Sequence, residues 1–231
     1  MAKRIVVLTG AGMSADSGLR TFRDADGLWE GHDVMEVASP QGFAHNPALV
    51  LDFYNQRRRQ LLEVVPNKGH TALVELENHF DVSIVTQNVD DLHERAGSSH
   101  VLHLHGELLK VRSTGNPSDV SKWKKDLVLG DCCGSGFQLR PHIVWFGEQV
   151  PLLPKAAEIT READLLLIIG TSMQVYPAAS LIHYSSPGIP IYFVDPRPTV
   201  SPFDFENLTI VAQKAAKGVP TVVSDLIGKA V

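Results

Sequence analysis

The sequence predicts an α/β protein, a parallel β-sheet covered by helices on both faces, and three observations carry that expectation. Runs of β-branched and aliphatic residues occur at 4–9, 82–86, 165–169 and 189–194. Helical patterns at 48–64, 68–79, 88–96 and 154–163 lie between them. Each apolar run ends near Gly, Thr, Asn or Asp. Continuously apolar strands are those buried on both faces, and alternation with helices marks parallel crossover connections.

Taken in order, Ile5-Val6-Val7-Leu8 forms a buried strand that meets a tight turn at Gly10-Ala11-Gly12. The helix from Leu49 to Val64 carries an apolar stripe of Val50, Phe53, Tyr54, Leu61 and Val64 at helical spacing. Arg57 falls on that stripe, where a core position would take an aliphatic residue. Tyr54 and Arg57 are three apart and share a face. A guanidinium beside a phenol suits a carboxylate, and the alternative is an arginine snorkelling from the stripe's edge. Residues 113–138 are rich in Gly, Ser, Asp and Lys with little periodicity. Strand-like sequence resumes after them, so they read as an insertion or small lobe.

The 231 residues suit one large domain, or one with a small appended lobe. Apolar residues at 44% and charged residues at 20% exclude a disordered or fibrous chain. A formal net charge of −5 gives no general attraction to nucleic acid or membranes. No apolar run approaches the roughly 18–20 residues of a membrane span, and the apolar stretch after Met1-Ala2-Lys3-Arg4 is too short for a signal peptide. The two cysteines, Cys132 and Cys133, are adjacent and supply no disulfide framework. The expectation is a cytoplasmic protein with no nucleic-acid or membrane partner.

Gly10-Ala11-Gly12-Met13-Ser14-Ala15 fits a relaxed G-x-G-x-x-A turn after a strand. The glycines permit a tight turn and let backbone N–H groups approach a pyrophosphate. The alternative is a glycine-rich turn without a ligand. A dehydrogenase would continue into a second strand ending in Asp or Glu about 20 residues on; here the interval from Ser17 to Gly27 is a polar loop carrying Arg20 and Arg23. A nucleotide site without hydride-transfer architecture is what these residues support. Thr86-Gln87-Asn88-Val89-Asp90-Asp91-Leu92-His93 follows a strand at its C-terminal end, where parallel sheets place ligand-binding residues. Gln87, Asn88 and Asp90 could read hydroxyls and an amide, or Asn88 or Asp90 merely caps the next helix. In Val101-Leu102-His103-Leu104-His105-Gly106, strand alternation would set His103 and His105 on one face. His105 suits a general base, with a structural histidine as the alternative.

Gly10-Ala11-Gly12-Met13-Ser14 with Gly18 to Arg23, then Thr86 to Asp90, His103 to Gly106, Phe146-Gly147-Glu148 and Gly170-Thr171-Ser172 occur in the order found in sirtuins. From about residue 4 to residue 228 the chain resembles these NAD-dependent protein lysine deacylases. The resemblance implies a Rossmann-like domain with a small lobe made from two insertions, here roughly 27–72 and 110–141, in one catalytic domain spanning 1–231. NAD and acyl-lysine then meet in the cleft between. Gly10, Ala11, Gly12, Ser14, Phe22, Arg23, Gln87, Asn88, Val89, Asp90, Gly170, Ser172 and Asp195 become the NAD contacts. Ala11, Phe22, Asn88, Val89 and Asp90 line the nicotinamide pocket, Gln87 and Asn88 fix the ribose, and Arg23 meets an anionic group.

The implied reaction begins when the acyl oxygen attacks the ribose anomeric carbon and nicotinamide leaves. His105 then acts as general base on a ribose hydroxyl, which attacks the resulting imidate. Water completes transfer of the acyl group to ADP-ribose, leaving free lysine. Val144, Phe146, Gly147 and Glu148 resemble the stretch that pairs with substrate backbone. Tyr54 and Arg57 resemble the Tyr-x-x-Arg pair of sirtuins that prefer succinyl- or malonyl-lysine.

The chain also departs from the family. Most sirtuins bind zinc through four cysteines in the small lobe; Lys110 to Gly115 contains no thiol, and only Cys132-Cys133 remains of the second pair. A closed tetrahedral site needs four ligands, so no zinc is expected, and packing around Trp123, Leu127 and Leu129 should hold the lobe instead. Phe193 stands where the family commonly offers an asparagine to the adenosine ribose, which would either weaken NAD affinity or shift that contact to Asp195. Ala215-Ala216-Lys217-Gly218-Val219 only loosely resembles the adenine-binding turn. The rival readings are a nicotinamide-dependent oxidoreductase, an NAD- or ADP-ribose-binding module, and an ADP-ribosyltransferase.

Overall fold

A computed structural model describes residues 3–20, 28–29, 31–201, 205 and 207–230. The elements run β1 (Arg4–Thr9), α1 (Gly12–Ala15), β2 (Leu28–Trp29), β3 (His32–Asp33), α2 (Val34–Val37), α3 (Pro40–His45), α4 (Pro47–Glu63) and α5 (Lys68–Glu77). Then follow β4 (Asp81–Thr86), α6 (Leu92–Ala96), β5 (Val101–His103), β6 (Gly106–Ser113), β7 (Val120–Lys122) and β8 (Leu139–Ile143). The chain closes with α7 (Leu153–Arg161), β9 (Leu165–Ile169), a 3₁₀ helix (Ala178–Tyr184), β10 (Ile191–Val194), β11 (Leu208–Val211) and α8 (Ala215–Ala230).

Six strands form one sheet in the order β11-β10-β9-β1-β4-β5, and every pairing in it is parallel. In sequence order this is the 3-2-1-4-5-6 arrangement of a Rossmann-like sheet, whose winding reverses between β1 and β9. Alternation along β1 divides the core. Ile5 and Val7 pack with Leu73 and Leu76 of α5 and with Val219, Val222 and Val223 of α8. Val6 and Leu8 pack with Ala156 and Ala157 of α7 and with Leu181 and Ile182 of the 3₁₀ helix. Both sheet faces are therefore covered, as the apolar strands require.

The smaller lobe joins α2–α4 and the β2–β3 hairpin to a second sheet, β7-β6-β8. Asn46 caps α4 through Leu49 N–H, and Pro47 opens its first turn. The apolar face of α4 buries Val50, Phe53, Tyr54 and Leu61 against Leu108, Ile143 and Trp145. The first insertion is shorter than 27–72, because α5 packs on the main sheet rather than in the lobe. The predicted helix at 88–96 starts only at Leu92. Residues 87–89 are held instead by cross-strand bonds, Gln87 N–H to Thr9 O and Leu108 N–H to Val89 O. In the second insertion Leu127 is buried with Leu51, Val111 and Leu139, and Trp123 packs beside them. Leu129 is exposed, contrary to expectation. It sits in a turn closed by Asp131 N–H on Val128 O.

Candidate active site

The topology brings the β1 and β9 turns together at the point where the sheet reverses, and a cleft of about 670 Å³ opens there between sheet and lobe. Gly10, Ala11, Gly12, Ser14, Gln87, Asn88, Val89, Asp90 and His105 line it, with Gly170, Ser172 and Asp195 from the far half of the sheet. Tyr54, Arg57, Val144, Phe146, Gly147 and Glu148 line it from the lobe side. Phe22 and Arg23 lie outside the described residues.

The glycine turn works differently from the sequence expectation. Gly10 N–H bonds Ile169 O and Gly12 N–H bonds Gly170 O, so both donors face the neighbouring strand end rather than the cleft. A Cβ on Gly12 would stand 2.6 Å from Gly170 Cα, and one on Gly10 would stand 2.8 Å from Gly170 O. Gly170 itself has φ of +59°. Glycine is needed at these positions because two backbones pass in contact.

Ser14, Asn88 and Asp90 form a buried polar cluster. The Ser14 hydroxyl donates to Asp90 Oδ2 at 2.9 Å and accepts from Asn88 Nδ2 at 3.2 Å. Asp90 Oδ1 accepts from Leu92 N–H at 3.1 Å, so Asp90 both braces the start of α6 and faces the cleft. Burial pushes the Asp90 carboxyl up, while Leu92 N–H, the Ser14 hydroxyl and nearby His103 pull it down. Thr171, beside Gly170 and Ser172, holds Gln87 by accepting from its Nε2 at 3.2 Å.

His103 and His105 do not share one strand face, since β5 ends at His103 and His105 sits in the following turn. His105 Nδ1 lies 3.1 Å from Gln87 O. A carbonyl only accepts, so Nδ1 carries the proton and Nε2 keeps its lone pair. Burial moves His105 below its ordinary value, more than the Gln87 bond raises it. The ring is a neutral base at neutral pH.

On the lobe side, Tyr54 is fully buried and accepts a hydrogen bond from Trp145 Nε1 at 2.9 Å. Burial holds the phenol protonated, well above its ordinary range. The Arg57 guanidinium lies 3.6 Å over the Phe53 ring and donates to Phe53 O at 2.7 Å. Glu148 has a structural task beside its place in the cleft wall. Its carboxylate takes Arg140 at 2.7 Å and Arg112 at 3.0 Å and accepts from Trp145 N–H at 2.8 Å. Arg140 in turn stacks over the Trp145 ring at 3.3 Å. Trp145 and Arg140 were missed by sequence reasoning. The only available signal was an aromatic residue inside the Val144–Glu148 stretch.

Backbone N–H groups of Val144 and Phe146 are bonded to His105 O and Ala38 O, which fixes this stretch as a wall between the two lobes. Asp195 follows β10 into the cleft, its Oδ1 accepting from Arg197 N–H at 2.7 Å. Phe193, two residues earlier, is wholly buried among core residues and is not a cleft residue. Cys132 is exposed and Cys133 half-buried, with Ser113 Oγ 3.3 Å from Cys133 Sγ. Among the described residues no three His, Cys, Asp or Glu side chains gather as a metal-binding group, and no helix is long and apolar enough to cross a membrane.

A parallel sheet whose order reverses beside a glycine turn, with a cleft opening at the reversal, is the arrangement of dinucleotide-binding α/β proteins. Comparison with known proteins gives the family. A family model described as Sir2 family matches residues 10–177. An NAD-dependent protein deacylase of Helicobacter pylori is 65% identical over 195 residues, covering 84% of this chain and 85% of its own. One of Bacteroides thetaiotaomicron is 52% identical over 223 residues, covering 94% and 95%. A crystal structure of a Sir2 homologue in complex with NAD superposes with a TM-score of 0.86 at 36% identity, covering 100% of this chain and 91% of that chain. The chain belongs to the Sir2 family.

Proposed function

We propose that this Sir2-family chain, an NAD-dependent protein deacylase, acts on lysines whose acyl group ends in a carboxylate, such as succinyl or malonyl, and accepts acetyl as well. The observation that carries the acyl preference is the Tyr54–Trp145 hydrogen bond. Trp145 occupies an acceptor position on the phenol oxygen, which leaves the phenol hydrogen free to donate to another partner, and Tyr54 and Arg57 line the same cleft. A phenol donor beside a guanidinium matches the distal carboxylate of a short dicarboxylic acyl chain. A structure of a related protein at 31% identity, with a TM-score of 0.73, is described as bound to a myristoylated histone peptide, and that family breadth makes the acyl pocket the place to look for specificity.

NAD, the co-substrate, supplies an anomeric carbon that becomes electrophilic as nicotinamide departs. In this reading Asn88 and Asp90 take the carboxamide, because they offer an amide and a carboxylate at the buried end of the cleft. Their tie to Ser14 orients them before substrate arrives. His105 Nε2 receives the proton of a ribose hydroxyl, its tautomer set by Gln87 O. Trp145 and Phe146 on the lobe wall restrict water around the acyl-lysine.

The test compares succinyl- and acetyl-lysine peptides, with and without NAD, for wild type and Arg57→Ala. Desuccinylation should fall at least about tenfold more than deacetylation, the size expected for losing a charged hydrogen-bonding partner. Equal losses would remove the carboxylate role of Arg57. NAD binding without turnover of either peptide by wild type would favour a binding module. We further propose that the small lobe is organised without zinc. Metal analysis of the purified protein should find less than one equivalent, and a chelator should leave its melting temperature unchanged.

A further inference from the structure

The loop that carries Asn88 and Asp90 is held by three successive carbonyl contacts. Gln87 O meets His105 Nδ1, Asn88 O meets His103 Nδ1 at 3.0 Å, and Val89 O accepts from Leu108 N–H. The His103 contact differs because its other nitrogen, Nε2, lies 2.7 Å from Glu94 Oε1. Both partners of this buried ring are acceptors, a carbonyl and a carboxylate. A neutral imidazole donates once and would turn a lone pair toward the carboxylate; only the imidazolium satisfies both. Glu94 is 41% exposed and connects this buried ring with solvent.

Asn88 is thereby pinned at its N–H by Thr86 Oγ1, at its side chain by Ser14 and at its carbonyl by His103. The two histidines, separated by one residue, have different surroundings: His105 meets one carbonyl in the cleft, and His103 meets a carbonyl and a carboxylate behind the loop. We propose that His103, kept cationic by Glu94, is a positioning residue that locks the Asn88 carbonyl and so sets the affinity of the site for the nicotinamide end of NAD. This rests on the reading that Asn88 and Asp90 receive the carboxamide.

The ionisable groups that face His103 are Glu94 and His93 on α6, Asp90 in the loop and Glu107 on β6, and Lys110 acts on Glu94. Glu94, the Asn88 carbonyl and Glu107 together raise His103 despite its burial, and the pairing lowers Glu94. The cation is present at low pH and is lost as pH rises through its raised value. The wild-type KM for NAD therefore climbs on the alkaline side.

Glu94→Gln removes the carboxylate from a half-exposed position without disturbing the core; His103→Gln removes the cation directly. Steady-state kinetics, nicotinamide inhibition and calorimetric NAD binding are measured for both variants and wild type between pH 6 and 9. Expected for Glu94→Gln are a KM for NAD and a nicotinamide inhibition constant raised about tenfold, kcat changed far less, and an alkaline climb displaced to lower pH. His103→Gln should give the same raised constants with the climb abolished. Unchanged NAD and nicotinamide constants in a Glu94→Gln protein that melts like wild type would overturn the proposal, whether or not His103→Gln folds. So would a fall in kcat with KM unaltered. A wild type that binds NAD but deacylates nothing overturns the deacylase reading alone, because calorimetry still compares Glu94→Gln with it.

Discussion

His105 shows how one hydrogen bond can fix a tautomer. With Nδ1 committed to Gln87 O and burial opposing the charged form, the unprotonated Nε2 is available near neutrality. Replacing His105 with Ala should abolish deacylation while NAD binding, measured by calorimetry, is largely retained. In the intact enzyme the acid limb of kcat/KM should fall with an apparent pKa below the ordinary histidine value of 6.5, because the group must be neutral to act and its own value is lowered. An acid limb well above 6.5 would mean another group governs it. The sequence made His105 and the Asn88–Asp90 loop visible because their residue types recur in short motifs. It singled out His105 as the base but gave His103 no task of its own. That distinction depends on which acceptors surround each ring, and Glu94 and Asn88 reach His103 only after α6 packs behind β5.

Among the elements, α4 does the most to join the lobe together. Its apolar face builds the lobe side of the cleft, and its polar face grips the second insertion. Asn55 Nδ2 donates to Leu127 O at 2.9 Å, and Asn55 Oδ1 accepts from Leu127 N–H at 2.8 Å and from Arg58 Nη1 at 2.6 Å. Arg58, fully buried, also donates to Leu108 O, and burial moves its guanidinium down to about 10. Arg59 meets Asp126 at 2.6 Å, but that pair is exposed and contributes little. Asn55→Ala should destabilise the protein by about 2–3 kcal/mol, since it strands the Leu127 backbone groups and an Arg58 donor in a buried site. Denaturant unfolding would measure this, and a loss below about 0.5 kcal/mol would show that the apolar cluster alone suffices. The stripe on α4 was readable from spacing. Asn55 was not singled out, because a polar residue on a helix gives no sign of the loop segment it will meet 72 residues away.

At the level of the whole molecule, a pair of buried histidines couples stability to acidity. His70 and His93 are wholly buried with ring centroids 4.9 Å apart. His93 Nε2 lies 3.2 Å from Thr9 Oγ1, whose hydroxyl donates to Thr86 beneath the Asn88 loop. Burial lowers His70 from 6.5 to about 4, and His93 well below 6.5, helped by the charges of its neighbours. The unfolded chain therefore takes up protons before the folded one, and stability present at neutral pH is lost as pH falls from about 6.5 toward 4. His70 alone accounts for about 3 kcal/mol across that window. Melting temperature should fall steeply over this range, and His70→Gln should flatten the slope; an unchanged slope would locate the acid sensitivity elsewhere. The sheet, its two helical covers and the motif-bearing loops were legible along the chain because strand and helix periodicity and turn chemistry act over a few neighbouring residues. Close passage of Gly12 against Gly170, the Ser14–Asp90 bond across 76 positions and the Trp145 donor on Tyr54 were decided in three dimensions. These are contacts between segments that share no local pattern, and they form only when β1 lies between β4 and β9 and the lobe closes over the strand ends.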